Sequence, residues 1–433
     1  MISNIKFRKL LNDLKRRPED AAKDLNITKK EILKFLNNKK EISHKILNQA
    51  TKVWPVNHGD FFSFSDDTQN GFKIMRSDKS NKSKRIMIRG KKPYYLYKDT
   101  VMSKVSPFKP ELITELVVVE NDNPNNPKVK FNNGHFLHQF TYFIGPVNFY
   151  YLKNNKKKIA KMNTGDSMYI APYIPHSFTT RKNKKNELGK ILALTYSDQI
   201  DNETLNELNV LGFDIANKYR IDLTNKNKAF WGNLDIFFNN SSITLDEFKK
   251  KTNIDLNKLR KKKNVPNLNI LKKISNFLNI GLRDLLPPKE RIEVKIQKYS
   301  QNRNWYFPSN KKKDYLFVEL TNIPQLPYSR GYEFHILSNH KMNRTLEVPS
   351  HQYIYNIGHT NVQAVINKKK IKINPGDSWY IKPNLKHYFN QKGKLLILRL
   401  GGRISGDRLY QLSMLSKQNL FKTIDDIKPW FNK

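Results

Sequence analysis

The 433-residue sequence contains no cysteine. That excludes disulfide staples, thiolate metal sites and cysteine nucleophiles, so any metal would have to be held by nitrogen and oxygen ligands. No apolar run approaches the roughly 18 residues needed to cross a bilayer. The amphipathic, charged start MISNIKFRKLLNDLKRRPED has no apolar leader core. These features lead us to expect a soluble, cytoplasmic protein. No GxGxxG fingerprint and no P-loop occurs, so no nicotinamide or nucleotide-phosphate cradle is expected. Acidic residues are scarce, 38 Asp and Glu against 79 Lys and Arg, for a net charge of +41. Lys and Asn recur in nearly every polar segment and form no single stripe, so the excess reads mainly as composition at solvated positions. A functional positive field would suit a small anionic substrate as well as DNA.

Aromatic residues, by contrast, are plentiful. With 25 Phe and 20 Tyr the chain can fill more than one core, and its length predicts at least two domains. Residues 1–62 carry a helical apolar spacing (Phe7, Leu10, Leu11, Leu14). Pro18-Glu19-Asp20 reads as a helix start, and the turn at Asn26-Ile27 before Thr28 resembles a helix-turn-helix. Residues 63–84 read as a polar connector. From Arg85 to about residue 200 the period changes to two, in short β-branched and aromatic runs separated by Asn, Gly and Lys turns. That pattern predicts a β-barrel or jelly roll.

The pattern then repeats. Residues 225–288 are helical, with a matching Asn253-Ile254 turn, and residues 290–405 return to strands. HQYIYNIG at 351–358 lies over HQFTYFIG at 138–145, and NPGDSWYIKPNLKHYF at 374–389 over NTGDSMYIAPYIPHSF at 163–178. The expected fold class is α+β: a tandem repeat of a helical, helix-turn-helix-like segment and a barrel, closed by a helical tail at 406–433.

Chemistry concentrates between Asn132 and Phe178. If His135 and Gln139 lie on one strand they share a face, with His138 on the other, while His176 follows a Pro-containing turn. Two imidazoles and one side-chain oxygen form the donor set of a non-haem iron triad, with a carboxamide where a carboxylate is usual. Both Gln139 and His138 have echoes in the repeat, at Gln352 and His351, and His176 has His387. His135 is replaced there by Val348. The first barrel is therefore expected to bind metal and the second to be a degenerate copy.

These residues resemble a family: non-haem iron cupin enzymes that process phosphonates, comprising hydroxyethylphosphonate dioxygenase, hydroxypropylphosphonate epoxidase and methylphosphonate synthase. The resemblance spans nearly the whole chain. The epoxidase has Glu where this chain has Gln139. The dioxygenase has Glu six residues before the second His, where this chain has Ile170. The synthase, with two His and one Gln, is the most similar member. The resemblance implies Fe(II) on His135, Gln139 and His176. It further implies phosphonate binding by Lys15, Arg89, Tyr97 and Asn132, with Lys15 also assisting catalysis; the physics agrees, since Arg forks onto phosphonate oxygens while Tyr and Asn donate to them.

The implied activity is Fe(II)- and O2-dependent C–C cleavage of 2-hydroxyethylphosphonate to methylphosphonate and CO2 or bicarbonate. The alternative within the family is cleavage to hydroxymethylphosphonate and formate. An alternative of another class is a cupin-linked helix-turn-helix DNA-binding regulator, but two such units in one chain would need exposed recognition faces at a usable spacing. Expected partners are the small phosphonate and O2, with neither membrane nor nucleic acid. Tyr- and Phe-rich barrel edges could pack within the chain or between copies in a homo-oligomer.

Overall fold

The computed structural model describes residues 3–197, 200–286, 291–338 and 344–425. Of the tail expected at 406–433, residues 426–433 lie outside the described residues, as do residues 1–2 and 287–290 at the edges of other expected segments. The chain is mixed α and β. None of its described helices is long and apolar enough to cross a membrane.

Four helices (Asn4–Asp13, Pro18–Leu25, Lys29–Leu36, His44–Val53) close around Phe7, Leu25, Ile32, Phe35, Leu47 and Trp54. Pro18–Leu25 ends at Asn26 in the left-handed conformation (φ 52°), the conformation Asn tolerates best after Gly. Thr28 then opens the next helix: its hydroxyl accepts from Glu31 N at 3.2 Å, and the Glu31 carboxylate accepts from Thr28 N at 3.4 Å. A second helical unit, with Lys226–Ser241, Leu245–Thr252, Leu256–Lys261 and Leu268–Leu278, has its own core around Phe230, Phe238, Phe248, Leu271 and Ile274. Its Asn253 is again left-handed, at φ 60°.

The strands build two β-units of the same plan. In the first, a seven-stranded sheet runs Val294–Gln297, Ser167–Ile170, His138–Ile144, Lys190–Tyr196, Phe108–Glu115, Lys92–Asp99, Arg85–Arg89. It faces a four-stranded sheet that contains His176–Arg181 and Val147–Lys153; Phe143 packs across onto Phe178, which stacks on Phe149 within the smaller sheet. In the second unit, the order Phe72–Met75, Ser378–Ile381, His351–Asn356, Gly393–Leu400, Ser329–Ile336, Lys313–Glu319, Asn304–Pro308 repeats that plan against a three-stranded sheet.

Each unit's edge strand comes from the other half of the chain. Phe72–Met75 precedes the first unit in sequence but pairs with Ser378–Ile381 of the second. Val294–Gln297 precedes the second unit but pairs with Ser167–Ile170 of the first. The stretch 63–84 is therefore more than a polar connector: Phe72 stacks on Trp379 at 6.0 Å and covers the second core. The outer faces of the two large sheets pack together, with Phe140, Tyr169 and Leu194 meeting Tyr353, Tyr380 and Leu398. Tyr142 donates across the seam to the buried Glu333 at 2.6 Å.

Candidate metal centre

His135 is not in a strand, contrary to the sequence expectation; the strand begins at His138. A loop sets its position. Tyr173 N donates to His135 O at 2.8 Å, tying the loop to the turn that precedes His176. Gly134, at φ 77°, permits this approach, because a Cβ there would come within 2.6 Å of the Tyr173 Cα. Gln139, one residue into the strand and 4% exposed, points to the sheet's inner face, directly opposite Ile170 and Thr195 on the flanking strands. His176 opens its strand and is 5% exposed. His138 points to the outer face, where Tyr169 OH lies 2.7 Å from its Nδ1.

The polar atoms of this cluster fit a cation. His135 Nδ1 lies 2.8 Å from Leu137 O, and His176 Nδ1 lies 2.8 Å from Ile174 O. A carbonyl only accepts, so both Nδ1 atoms carry hydrogen, and in the neutral ring each Nε2 presents a lone pair. This backbone anchoring is the usual support of a metal-binding imidazole. His135 Nε2 lies 2.9 Å from Gln139 Oε1. Two acceptors thus face each other, and their separation is what two ligands about 2.1 Å from one ion, at a right angle, would show. The two imidazoles stand at 86° with centroids 5.2 Å apart. Burial, opposed by the Ile174 carbonyl and aided by His135 and Arg89, pushes His176 down to about 3, so it stays neutral and able to ligate. Among the described residues no three His, Cys, Asp or Glu side chains form a metal-holding group. The third polar side chain of this cluster is an amide.

Asn132 joins the cluster. Its Oδ1 accepts from His176 N at 2.8 Å and Gly134 N at 3.1 Å, and its Nδ2 lies 3.1 Å from His176 Nε2. Arg89 approaches from the edge strand, where a bulge between Met87 and Ile88 re-aims it. It stacks on Tyr95 and Tyr94, at 4.8 and 5.6 Å, and donates to Lys130 O at 3.2 Å. Tyr97 lies edge-on to Tyr95, with centroids 6.0 Å apart. Burial, with Glu111 adding to it and Arg89 opposing, pushes its phenol up to about 12, so it remains a donor. Lys15 is exposed on the first helical unit, whose core is separate from the one around the histidines. Its φ of 54° is left-handed, and it caps Asn4–Asp13 where Gly would be usual.

Two buried groups escaped the sequence reading. Thr141 accepts a hydrogen bond from Gln139 Nε2 at 2.8 Å. Its signal was available, two residues after Gln139 and so on the same face. Glu115 is fully buried and neither carboxyl oxygen has a partner among the described residues. Burial pushes its carboxyl well above the usual range, against the pull of Arg89.

The comparisons bear on this site. No family model matches the chain. The methylphosphonate synthase of Nitrosopumilus maritimus (strain SCM1) is 44% identical to it over 435 aligned positions, spanning 98% of this chain and 94% of that protein. This chain belongs to the methylphosphonate synthase family. The (S)-2-hydroxypropylphosphonic acid epoxidase of Streptomyces wedmorensis is 30% identical over 110 residues, 25% of this chain and 52% of that one. Among solved structures, Streptomyces albus HEPD with 2-hydroxyethylphosphonate and Fe(II) bound matches with a TM-score of 0.92 at 29% identity, over 99% of this chain and 98% of that one. PhpD with cadmium, at 15% identity and a TM-score of 0.75, shares the fold alone. The methylphosphonate synthase family thus supplies the frame in which an amide beside two histidines is to be read.

Proposed function

We propose that this chain cleaves the C–C bond of 2-hydroxyethylphosphonate with Fe(II) and O2, giving methylphosphonate, CO2 and water, or equivalently bicarbonate and a proton. One O2 accepts four electrons, all drawn from the two carbons, so no further reductant is consumed. The observation that carries the reading is the pair of acceptors, His135 Nε2 and Gln139 Oε1, facing each other beside His176 with Ile170 opposite Gln139. Family membership supplies the substrate class.

In this reading His135, Gln139 and His176 hold Fe(II), which when bound supplies O2 activation at its open positions. A neutral amide leaves the centre one charge more positive than a carboxylate would, which favours an anionic, chelating substrate. Once His176 Nε2 serves as a ligand, Asn132 Nδ2 loses that acceptor and becomes a donor for a phosphonate oxygen. Arg89, held flat by two tyrosine rings, offers its remaining N–H groups to the same dianion, and Tyr97 donates its phenol. Lys15 is assigned to phosphonate binding and catalysis; its left-handed backbone marks a position where the side chain is kept at a conformational cost. The two β-units are taken as cupins, bounded near 85–200 and 290–405 apart from the exchanged strands. The helical units at 1–62 and 225–288 are taken as helix-turn-helix-like, and the protein as cytoplasmic.

A second reading has a specific observation in its favour. The match to HEPD covers nearly the whole of both chains, and the dioxygenase outcome would give hydroxymethylphosphonate and formate. Ile170 lies directly across from Gln139, so a ligand on either strand would reach the same point, and the amide here favours the synthase. The experiment is anaerobic loading with Fe(II) and 2-hydroxyethylphosphonate, then O2, read by phosphorus NMR. A methylphosphonate signal is expected. Hydroxymethylphosphonate with formate would establish the second reading, and absence of turnover would sink both.

A further inference from the structure

We infer that Thr141 is the residue that makes Gln139 a metal ligand, an inference that rests on the ligand set proposed above. A carboxamide has two faces. It can turn its oxygen or its NH2 toward His135, and only the oxygen can ligate a cation. When His135 Nε2 carries a lone pair, a free amide would turn its NH2 that way, which is a good hydrogen bond and a useless ligand. In the structure the oxygen faces His135 Nε2 at 2.9 Å and the NH2 donates to Thr141 Oγ1 at 2.8 Å. Thr141 is fully buried, so no water can replace it as acceptor.

Thr141 therefore does two things. It satisfies the buried NH2 in the ligating orientation, and by accepting from it draws electron density along the amide toward Oε1. The chain carries its own control. The position equivalent to Thr141 in the second β-unit is Ile354, and there Gln352 Oε1 is turned not by a hydroxyl but by a cation, accepting from Arg399 Nε at 3.3 Å. An amide ligand with its hydroxyl support thus occurs only in the unit that also has His135.

The test is Fe(II) affinity of the apoprotein, measured by competition with a chromogenic chelator, for wild type, Thr141→Val, Thr141→Ser and Gln139→Ala. Val keeps the shape and the strand preference, so apoprotein melting should stay at the wild-type value. Thr141→Val should weaken Fe(II) binding by about 10–100-fold, the range typical of lost outer-shell support. Thr141→Ser, which keeps the hydroxyl, should restore affinity to within a few-fold. Wild-type affinity in Thr141→Val alongside loss in Gln139→Ala would overturn the role of Thr141 and leave the ligand set standing. Wild-type affinity in both variants would remove the ligand set itself. If Thr141→Val melts earlier as apoprotein and Thr141→Ser fails to restore iron affinity, Thr141 is a packing residue and the inference is wrong.

Discussion

The two β-units share one plan, yet their inner faces solve the problem of a buried polar cluster in opposite ways. In the first, Gln139 sits with His135, His176, Thr141 and Thr195. In the second, Gln352 sits with Val348, His387, Ile354 and Arg399, the last directly opposite it in register. Arg399 is half-buried, donates to Gln352 and lies 5.4 and 5.2 Å from the rings of Phe317 and Tyr332. Its fixed positive charge stands near His387, which burial and Arg399 together push down to about 4, against the Leu385 carbonyl. The second unit thus supplies its own cation, covalently attached, where the first presents two facing acceptors. The comparison teaches that the two units differ by more than one imidazole: the position opposite Gln352 carries a guanidinium, whose charge would oppose any divalent ion there.

The comparison can be broken from either side. The largest effect should come from His135→Val, which gives the first unit the second unit's residue. Fe(II) affinity should fall by more than about 100-fold, beyond the loss expected for outer-shell support, and phosphonate turnover with it; retained iron in an equilibrium titration would contradict the ligand assignment. Next comes the reverse change. Val348→His alone should leave the iron count at one per chain, because Arg399 remains. Val348→His with Arg399→Thr should raise it toward two, counted by metal analysis after gel filtration. A second iron in the single variant would show that Arg399 is no barrier.

Smaller effects test how each unit is held. Tyr173 has a φ of 61° and is 64% exposed, while the equivalent Asn384 has a φ of 58°. The two donate alike, Tyr173 N to His135 O and Asn384 N to Val348 O, each at 2.8 Å. Asn suits this backbone and Tyr does not, a difference of about 1 kcal/mol. Tyr173→Asn should therefore gain about that much stability by denaturant titration and lose kcat/KM. A gain with unchanged turnover would make Tyr173 a turn residue only.

The smallest effect concerns Glu115. Its folded carboxyl is raised above the ordinary value of 4.5 by burial, so the native state holds a proton that the unfolded state releases. Wild-type stability should then fall, relative to Glu115→Gln, as pH rises above the ordinary value of 4.5. The buried Glu333 across the seam runs the other way: burial opposes it, but His335, Lys394 and Tyr142 hold it at about 2, so its contribution is lost as pH falls from 4.5 toward that value. A pH-independent difference between wild type and Glu115→Gln would show that Glu115 does not titrate between the two states.

Much of this was legible in the residues. The repeated HQ-x-x-Y-x-I-G and GDS-x-Y-I runs exposed the duplication because strands buried on both faces keep their pattern, and setting one copy over the other singled out His135 against Val348. What could not be read required pairing. FKIM and VKIQ, at four residues each, are too short to show a period, so their exchange between units was invisible. Arg399 was visible as a charge set among the leucines of GKLLILRL, but only the register places it opposite Gln352. His135 was expected on a strand, and its convergence with Gln139 comes instead from a loop that Gly134 allows to pass close to Tyr173. Lys15 shows how far local sequence reaches: its neighbours in the chain define a helix end, and nothing local says which surface that end faces.

The central claim is that one iron binds per chain, on two imidazoles and an amide in the first unit alone. Anomalous diffraction at the iron edge from Fe(II)-loaded crystals tests it most directly. The predicted result is a single peak about 2.1 Å from His135 Nε2, Gln139 Oε1 and His176 Nε2, with none beside His387. A peak that excludes Gln139, or one of equal height in the second unit, would contradict it.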